Sequence, residues 1–575
     1  MSARHAAGRS RAGRGSARAV APALRGAAVI AIAAAAGTGC AFLAPFPDLA
    51  PEPSGGDGGA GGVGGGVAGA GAGGEGGPVE RCVPLTTTPC YSGPAGTEGV
   101  GVCSGGVATC DADGSGYGPC QGEVVPGFES CGTEADEDCD GQGCVGTHVT
   151  SEAFGDASEQ RGSAIAVSAG AVVIAGHAGG SIDLGGGPLG ELGGAGQPDG
   201  FVASFSPGGA LRWGKRFSDT LLRGAALAAG GDVVVVGGAS GTVDFGGGPL
   251  TGVGNGEDVV IARLDGDGEH RWSRRVGNGA NQLATAVAVD ASGNTLVTGV
   301  FWGKLDFGGD AALKLNSVGE SDGFVVKLDA TGQPLWARRF GDALNHQSGS
   351  GVAADGQGNV ILTGWFKGTL DLGGPVLQST GETDLFVAKL SPAGDLLWGR
   401  VAHSTNAGKG LGVAADSAGN IAVAGSFRSS IEIGPVTHTT VGDKNVIVMK
   451  LDDNGTPLWS KSFGDGADQE GAGVAVDPAG DVIVTGSFMG RLDLGAGELA
   501  AVGASDGFVV KLDPGGAALW ARSFGDSSEQ GGAAVTADPL GNVWTTGYLS
   551  GSADFGGGPI QSSGASDAFL LELSP

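Results

Sequence analysis

The sequence predicts an all-β protein organised mainly as one array of repeats. Its 575 residues include 120 glycines and only 6% aromatic residues, a composition that indicates many turns and disfavours a helical bundle. Short apolar runs alternate with Gly-rich turns, and beyond residue 148 similar segments return after about sixty residues. Acidic residues outnumber basic ones by 61 to 32, which argues against nucleic acid or an anionic membrane surface as a partner.

Residues 1–39 have the features of an export signal peptide. They combine an Arg-rich start with the apolar run AAVIAIAAAA, which is too short for a stable membrane span, and small residues lead to Cys40. This ending resembles the lipobox of bacterial lipoproteins, although Gly37 stands where that motif usually has leucine. The resemblance implies lipidation of Cys40. The alternative is plain secretion, with Cys40 left unmodified or removed.

Residues 40–80 are predicted to form a disordered Gly-rich linker. The stretch SGGDGGAGGVGGGVAGAGAGGEGG has no apolar periodicity and cannot bury enough surface to offset its backbone entropy. With a lipid on Cys40, the linker would tether the remaining chain to a membrane without spanning it. The expected location is therefore the outer membrane or the cell surface, with secretion as the alternative.

Residues 81–147 are predicted to form a small cysteine-rich module. An even number of cysteines in a short, exported segment indicates a disulfide framework that compensates for a small core. Eight cysteines allow 105 pairings, and the sequence does not choose among them. A zinc site is disfavoured, because the segment has no C-x-x-C pair and one nearby histidine, His148. The eight residues are Cys82, Cys90, Cys103, Cys110, Cys120, Cys131, Cys139 and Cys144.

Two acidic loops in this module are candidate Ca²⁺ sites. Each places oxygen-bearing side chains at alternate positions before a glycine, which suits Ca²⁺, but neither has the bidentate glutamate of a complete EF-hand loop. The segment resembles cysteine-rich modules of bacterial surface proteins that are assigned as metal-binding by pattern. The alternative is a pair of acidic turns in a disulfide knot. The candidate ligands are Asp111, Asp113 and Ser115 in the first loop, and Asp136, Asp138 and Asp140 in the second.

Residues 148–575 are predicted to form a seven-bladed β-propeller. Each repeat holds four strand-like runs, such as TAVAVD, NTLVTGVF, DGFVVKLD and PLWARRF, and six repeats keep a tryptophan at one phase. The last repeat lacks its fourth run, and THVTSEAF before the first repeat supplies one, which would close the ring without a long free sheet edge. The marker FGD, or a degenerate form of it, starts at Phe154, Phe217, Val276, Phe340, Val401, Phe463 and Phe524.

These repeats resemble a known family through the patterns VAVDxxGNxxVTGxF and DxFVxKLxxxGxxxW. The family is the bacterial seven-bladed β-propeller repeat of surface-exposed proteins, and the resemblance covers residues 148–575. It implies the fold. It implies no activity, because propellers carry many unrelated functions.

A glutamine that follows the FGD marker is the candidate ligand-binding residue of the repeats. Its loop leads from the outermost strand of one blade to the innermost strand of the next, so the amides are expected around one mouth of the central channel. Such a ring could bind a sugar or a peptide backbone, or it could hold neighbouring loops together. The glutamines are Gln160, Gln282, Gln347, Gln469 and Gln530.

Two other repeated motifs are explained better by structure than by chemistry. The motif LDFGG returns in nearly every repeat, whereas a site needs only one or a few such residues, so its aspartates are assigned to turns. GESDG at Gly319 and GASDG at Gly503 match the nucleophile-elbow pattern, but both enter a strand and lack the strand-to-helix turn of that motif. No catalytic residue is predicted.

The sequence therefore favours a non-catalytic binding or structural scaffold at the cell surface. The partner is expected to be a protein or a glycan on the propeller face with the long loops. The alternative is a carbohydrate-active enzyme with its site at the central mouth, which would need carboxylates that belong to single blades and face the channel.

Overall fold

The structure, a computed structural model, describes residues 82–94, 96–126, 135–137, 139, 145–190, 198–254 and 256–575, and the backbone of a short strand, Ile30–Ala31. Within these residues the protein is all-β, with one 3₁₀ turn at Ala311–Leu313. Among them, no helix has the length and apolar character that crossing a membrane would require.

The described part of residues 148–575 is a β-propeller that contains seven four-stranded antiparallel units. The strands, from innermost to outermost, are Gln160–Ser168, Ala171–Ala178, Asp199–Phe205 and Leu211–Phe217 in blade one; Thr220–Leu227, Val233–Ala239, Asp258–Leu264 and His270–Val276 in blade two; Gln282–Val289, Thr295–Phe301, Asp322–Leu328 and Pro334–Phe340 in blade three; and Gln347–Ala354, Val360–Phe366, Asp384–Leu390 and Leu396–Ser404 in blade four. The remaining blades consist of Gly408–Ala415, Ile421–Ile433, Val436–Leu451 and Pro457–Phe463 in blade five; Gln469–Val476, Val482–Phe488, Asp506–Leu512 and Ala518–Phe524 in blade six; and Gln530–Ala537, Val543–Leu549, Asp567–Leu573 and His148–Phe154 in blade seven.

The N-terminal strand of the propeller completes its last blade, as the sequence predicts. His148–Phe154 pairs antiparallel with Asp567–Leu573, the last strand of the chain. The innermost strand of each blade contacts those of its two neighbours, and the innermost strand of blade seven contacts that of blade one. The ring is therefore closed. Ile30–Ala31, within the predicted signal peptide, pairs in parallel with Gly473 and Val474 of the innermost strand of blade six.

The long Gly-rich connections form small hairpins that cover the blade edges. Each connection starts and ends on the side of the FGD loops, called the FGD face below, but its hairpin packs along the outermost strand. In blade two, Phe245 of the hairpin packs against Phe217 at the end of blade one, with ring centroids 4.6 Å apart. The sequence placed these connections on the face alone; the hairpins shield outer sheet edges as well. The paired strands are Ile182–Asp183 with Pro188–Leu189, Thr242–Val243 with Leu250–Thr251, Lys304–Asp306 with Lys314–Asn316, Thr369–Leu370 with Leu377–Gln378, Arg491–Asp493 with Glu498–Ala500, and Ser552–Asp554 with Pro559–Gln561.

The recurring tryptophans join each of the first six blades to the next. Trp336 Nε1 donates a hydrogen bond to the carbonyl of Pro392, in the outer turn of blade four, at 2.9 Å. Its indole lies against Gly394, where a Cβ atom would approach the ring to 2.7 Å and where φ is +86°. Glycine is needed there for both reasons. The same bond is made by Trp213, Trp272, Trp398, Trp459 and Trp520.

In most blades a buried ion pair joins two strands at the end away from the FGD face. Lys327 Nζ lies 2.8 Å from Asp290 Oδ2, and Lys511 Nζ lies 2.9 Å from Asp477 Oδ2, with all four side chains at most 4% exposed. Blade seven departs from this pattern, because Glu572 occupies the position of the lysine. Burial, followed by the charge of Asp538, raises the pKa of Glu572 to about 8.

The described part of the cysteine-rich module is held by three disulfides, which the sequence could not assign. They join Cys82 to Cys110, Cys90 to Cys120, and Cys103 to Cys139. One strand pair, Thr87–Cys90 with Gly106–Thr109, forms its centre. Cys131 and Cys144 lie outside the described residues.

Candidate functional site

The five predicted glutamines are buried, and each donates a hydrogen bond to a backbone carbonyl just past the second strand of its blade. Each has 0% exposure and is the first residue of an innermost strand. Gln530 Nε2 donates to Asp526 Oδ1 at 2.8 Å and to the carbonyl of Ser550, while its Oε1 accepts from the Asp526 N–H at 3.2 Å. Gln160, Gln282 and Gln469 also bond to the third residue of the marker and to the end of the second strand. These are the contacts of the alternative in which the amides hold loops together.

The glycine and the aspartate of the FGD marker are explained by the same contacts with the glutamine. A Cβ atom on Gly525 would lie 2.5 Å from Asp506 Oδ1 and 2.7 Å from Gln530 Oε1, so only glycine fits. The aspartate of the marker organises the loop. Burial alone would raise the pKa of Asp156, but hydrogen bonds from Ser158, Gln160 and Ser181 lower it to about 2.

The calcium candidates lie partly outside the described residues. Asp138 and Asp140 lie outside the described residues, whereas Asp136 lies within them. In the first loop, Asp113 Oδ1 accepts a hydrogen bond from the Ser115 N–H at 3.0 Å, and hydrogen bonds from Ser115 lower the pKa of Asp113. Asp111 is exposed. Among the described residues, no group of three or more His, Cys, Asp and Glu side chains could hold a metal ion, so calcium binding stays a prediction.

One nucleophile-elbow serine does meet a histidine, which the sequence did not predict. Ser321 Oγ lies 2.9 Å from His346 Nδ1, and His346 Nε2 contacts Glu320. However, Ser321 is 1% exposed, so its hydroxyl is closed to a substrate. The equivalent Ser505 donates a hydrogen bond to the backbone carbonyl of Gln530, which indicates a structural role for this position.

Two positions in each blade, beside the glutamine position, lie at the channel mouth. Sequence reasoning missed them. They are the second residue of each innermost strand and its partner on the second strand, at the FGD end of the blades. The residues around these positions repeat, but the residues at these positions differ from blade to blade. An alignment of the seven repeats with one another would have found this variation. The pairs are Arg161 with His177, Leu221 with Gly238, Leu283 with Val300, Ser348 with Trp365, Lys409 with Ser426, Glu470 with Ser487, and Gly531 with Tyr548.

Two cation and aromatic pairs bridge neighbouring blades in the channel mouth. The guanidinium carbon of Arg161 lies 4.2 Å from the ring centroid of Tyr548, and Lys409 Nζ lies 4.9 Å from that of Trp365. Burial lowers the pKa of Lys409 and raises that of Tyr548. All four side chains are half-buried. They present large, partly dehydrated surfaces on which a bound molecule could stack.

The mouth carries charged groups of both signs. Arg161 forms an ion pair with Glu159, with Nε and Oε1 2.6 Å apart, and Lys444 pairs with Glu470. Burial, and then the positive charge of Arg223, lowers the pKa of His177 to about 4, so this imidazole is neutral at pH 7. The site can therefore offer hydrogen-bond donors, acceptors and ring faces together.

Four apolar side chains are exposed on the FGD face. Val253, Val441 and Val502 occupy one repeated position and are 65%, 66% and 60% exposed. Each precedes a glycine packed against an FGD loop; for example, the position of a Gly503 Cβ lies against Ser527. Leu344, on such a loop, is 79% exposed. This set of four residues is called the valine rim below.

Comparison with known proteins concerns the repeat and the fold. No family model matches the chain. An uncharacterised WD repeat-containing protein of Acanthamoeba polyphaga mimivirus is 25% identical over 199 residues, which is 29% of this chain. The chain spans only 14% of the length of that relative. The resemblance to the bacterial propeller repeat and to the cysteine-rich modules stays a prediction.

Similar solved structures have diverse descriptions. The WD40 β-propeller domain of Doa1 is 8% identical, over 75% of this chain and 96% of that chain, with a TM-score of 0.35. Sqt1 from Chaetomium thermophilum is 10% identical, over 75% and 99%, with a TM-score of 0.36. A gluconolactonase from Xanthomonas campestris is 15% identical, over 56% and 85%, with a TM-score of 0.27. No function is transferred from these similarities.

Proposed function

We propose that the protein is a non-catalytic binding scaffold that receives part of a protein partner in its channel mouth. The observation that carries the proposal is the break in internal symmetry there. A position that only maintains the fold takes the same residue in each blade, as the glutamine position does in five of them. A bound molecule has no such symmetry, and the side chains that touch it differ between blades.

The chemistry of the FGD face favours a protein over a glycan. Trp365, Tyr548 and Arg161 are of the residue types that contribute most to protein interfaces. The exposed valine rim on the same face would supply the apolar area that such an interface buries. A glycan site would use the aromatic faces but would leave the valine rim in water.

The proposed location outside the cytoplasm is supported by the sequence of the N-terminus. Export by residues 1–39 and lipidation of Cys40 would place the propeller outside the cytoplasm, on a Gly-rich tether. Labelling the expressed protein with a radioactive fatty acid tests this part. Incorporation in the wild type and none in Cys40→Ala is expected; equal incorporation in both would contradict lipidation.

The binding proposal is tested with matched variants of two surfaces. The chain without residues 1–39 is screened against protein and glycan arrays, and each hit is measured again with the double variant Arg161→Ala, Lys409→Ala. We expect a protein hit whose affinity falls at least about tenfold, because both substitutions remove a cation and aromatic pair.

The control for this experiment lies on the opposite face. Leu335 and Leu397 are the second residues of outermost strands there and are 51% and 53% exposed. The double variant Leu335→Ala, Leu397→Ala should bind as the wild type does. Loss of binding in this control, or turnover of a sugar polymer by the wild type, would overturn the proposal in favour of the other face or of an enzyme.

A further inference from the structure

Arg223, in the innermost strand of blade two, is a charged residue at a position that is uncharged in every other blade. It is the extra residue of a β-bulge between Leu222 and Gly224, and a bulge recurs at the same place in every innermost strand. The residues at this position in the other blades are uncharged. They are Ser163, Thr285, Ser350, Leu411, Ala472 and Ala533.

The Arg223 guanidinium has no partner among the described residues. Its Nε atom is buried without a hydrogen bond, and none of its nitrogens takes part in an ion pair within the described part of the chain. Arg223 is half-buried, and a buried Nε donor without an acceptor is costly. Arginines elsewhere in the propeller are satisfied; Arg216 and Arg275, for example, bond to buried aspartates at 2.9 and 2.8 Å.

His177 and Arg161 lie in the part of blade one that packs against the innermost strand of blade two. The two are paired across the first and second strands of blade one. The innermost strand of blade two, which carries Arg223, packs against both of these strands. Gly200, which is paired with His177 on the other side, lies against Leu222, the residue before Arg223. The carboxylate of Glu257 acts on Arg223 from a distance, because the two form no ion pair.

We propose that Arg223, with the imidazole of His177, forms a carboxylate-binding subsite just inside the channel mouth. The unsatisfied donors of the guanidinium match the two oxygens of a carboxylate, and the imidazole can donate one more hydrogen bond. On the proposed function, which this inference deepens, the carboxylate belongs to an acidic side chain or the C-terminus of the protein partner. The subsite gives the partner its register in the mouth.

Small anions test the subsite without any partner. The chain without residues 1–39, with its histidines labelled with ¹⁵N, is titrated at pH 7 with sodium acetate, with sodium phosphate and with sodium chloride at matched ionic strength. We expect a saturable shift of the His177 ring signals with acetate and none with chloride. A saturable response to phosphate alone would overturn the carboxylate assignment, and no saturable response would overturn the subsite.

Matched variants identify the residue responsible. Arg223→Met should weaken the apparent acetate affinity at least about tenfold, whereas Arg212→Met, which removes an exposed arginine of the same propeller, should leave it unchanged. If Arg223→Met does not fold, Arg223→Lys keeps the charge but loses the two-point geometry and should also weaken acetate binding. Unchanged acetate binding in a folded Arg223 variant would contradict the proposal. If acetate binds at Arg223 but the array screen gives no protein hit, the proposed function is refuted and the subsite is retained.

Discussion

The indole Nε1 of Trp520 donates a hydrogen bond to the carbonyl oxygen of Pro575, 3.2 Å away. Trp520 is 4% exposed and lies in the outermost strand of blade six. Pro575 occupies the turn position that the other tryptophans contact in the following blades. This bond therefore fixes the last residue of the chain to the blade before its own.

Trp520→Phe should lower the free energy of unfolding by about 1 kcal/mol, because phenylalanine fills much of the space but cannot donate to Pro575. Urea unfolding followed by circular dichroism measures this change. Trp272→Phe is the control, since its bond to Ala330 is exposed and worth less. Equal losses in the two variants would contradict a special contribution from the buried bond.

Gly525→Ala should destabilise the protein by about 1–3 kcal/mol, because the new methyl group would collide with Asp506 and Gln530. Gly466→Ala is a matched control on another FGD loop, where nothing lies within 4 Å of the added atom. Thermal unfolding of both variants should show a lower midpoint for the first only. A stable Gly525→Ala protein would mean that the loop can move away from the glutamine.

Glu572→Lys should stabilise the protein above pH 8. In the wild type, burial raises the pKa of Glu572 from 4.5 to about 8, so the folded state holds its proton more tightly than the unfolded state does. The stability that depends on this proton is complete below pH 4.5 and is lost as the pH rises through about 8. A lysine there would instead pair with Asp538, as Lys511 pairs with Asp477.

Unfolding curves between pH 5 and 9 measure the effect of Glu572. Glu572→Gln should remove its contribution to the pH dependence, and Glu572→Lys should be the most stable of the three proteins at pH 9. A wild type whose stability does not fall between pH 5 and 9 faster than that of Glu572→Gln would contradict the raised pKa.

Calcium binding by the cysteine-rich module is expected to give a measurable heat at millimolar Ca²⁺, because its candidate ligands are carboxylates at alternate positions. Calorimetry on the chain without residues 1–39, before and after treatment with a chelator, tests this. Asp113→Asn should weaken the first loop and leave the second unchanged. No heat at millimolar Ca²⁺ would remove both loops as sites.

The strands of the propeller could be predicted because the same sequence pattern recurs in each repeat. The run PLWARRF coincides with the strand Pro334–Phe340, and THVTSEAF contains the strand that completes blade seven. Alternating apolar residues and tight turns determine such strands locally. The disulfide pairing could not be predicted, since it depends on which cysteines the fold brings together.

The candidate site was missed for a physical reason. Repetition directed attention to the glutamines, but a side chain that recurs in most blades serves what the blades share, namely their loops. Arg161 and Tyr548 differ from their counterparts, and they lie together only because the closed ring places blade seven beside blade one. Only the closed ring shows that these scattered residues are neighbours.

The closing strand also has a consequence for the order of folding. His148–Phe154 is synthesised before any of the other six blades, yet its partner, Asp567–Leu573, is the last strand to be made. Until then its pairing edge is unprotected, and closing the ring requires a contact across more than four hundred residues, which makes the last step slow. A chain that crosses a membrane N-terminus first would therefore reach the far side with an unpaired strand that is open to other chains.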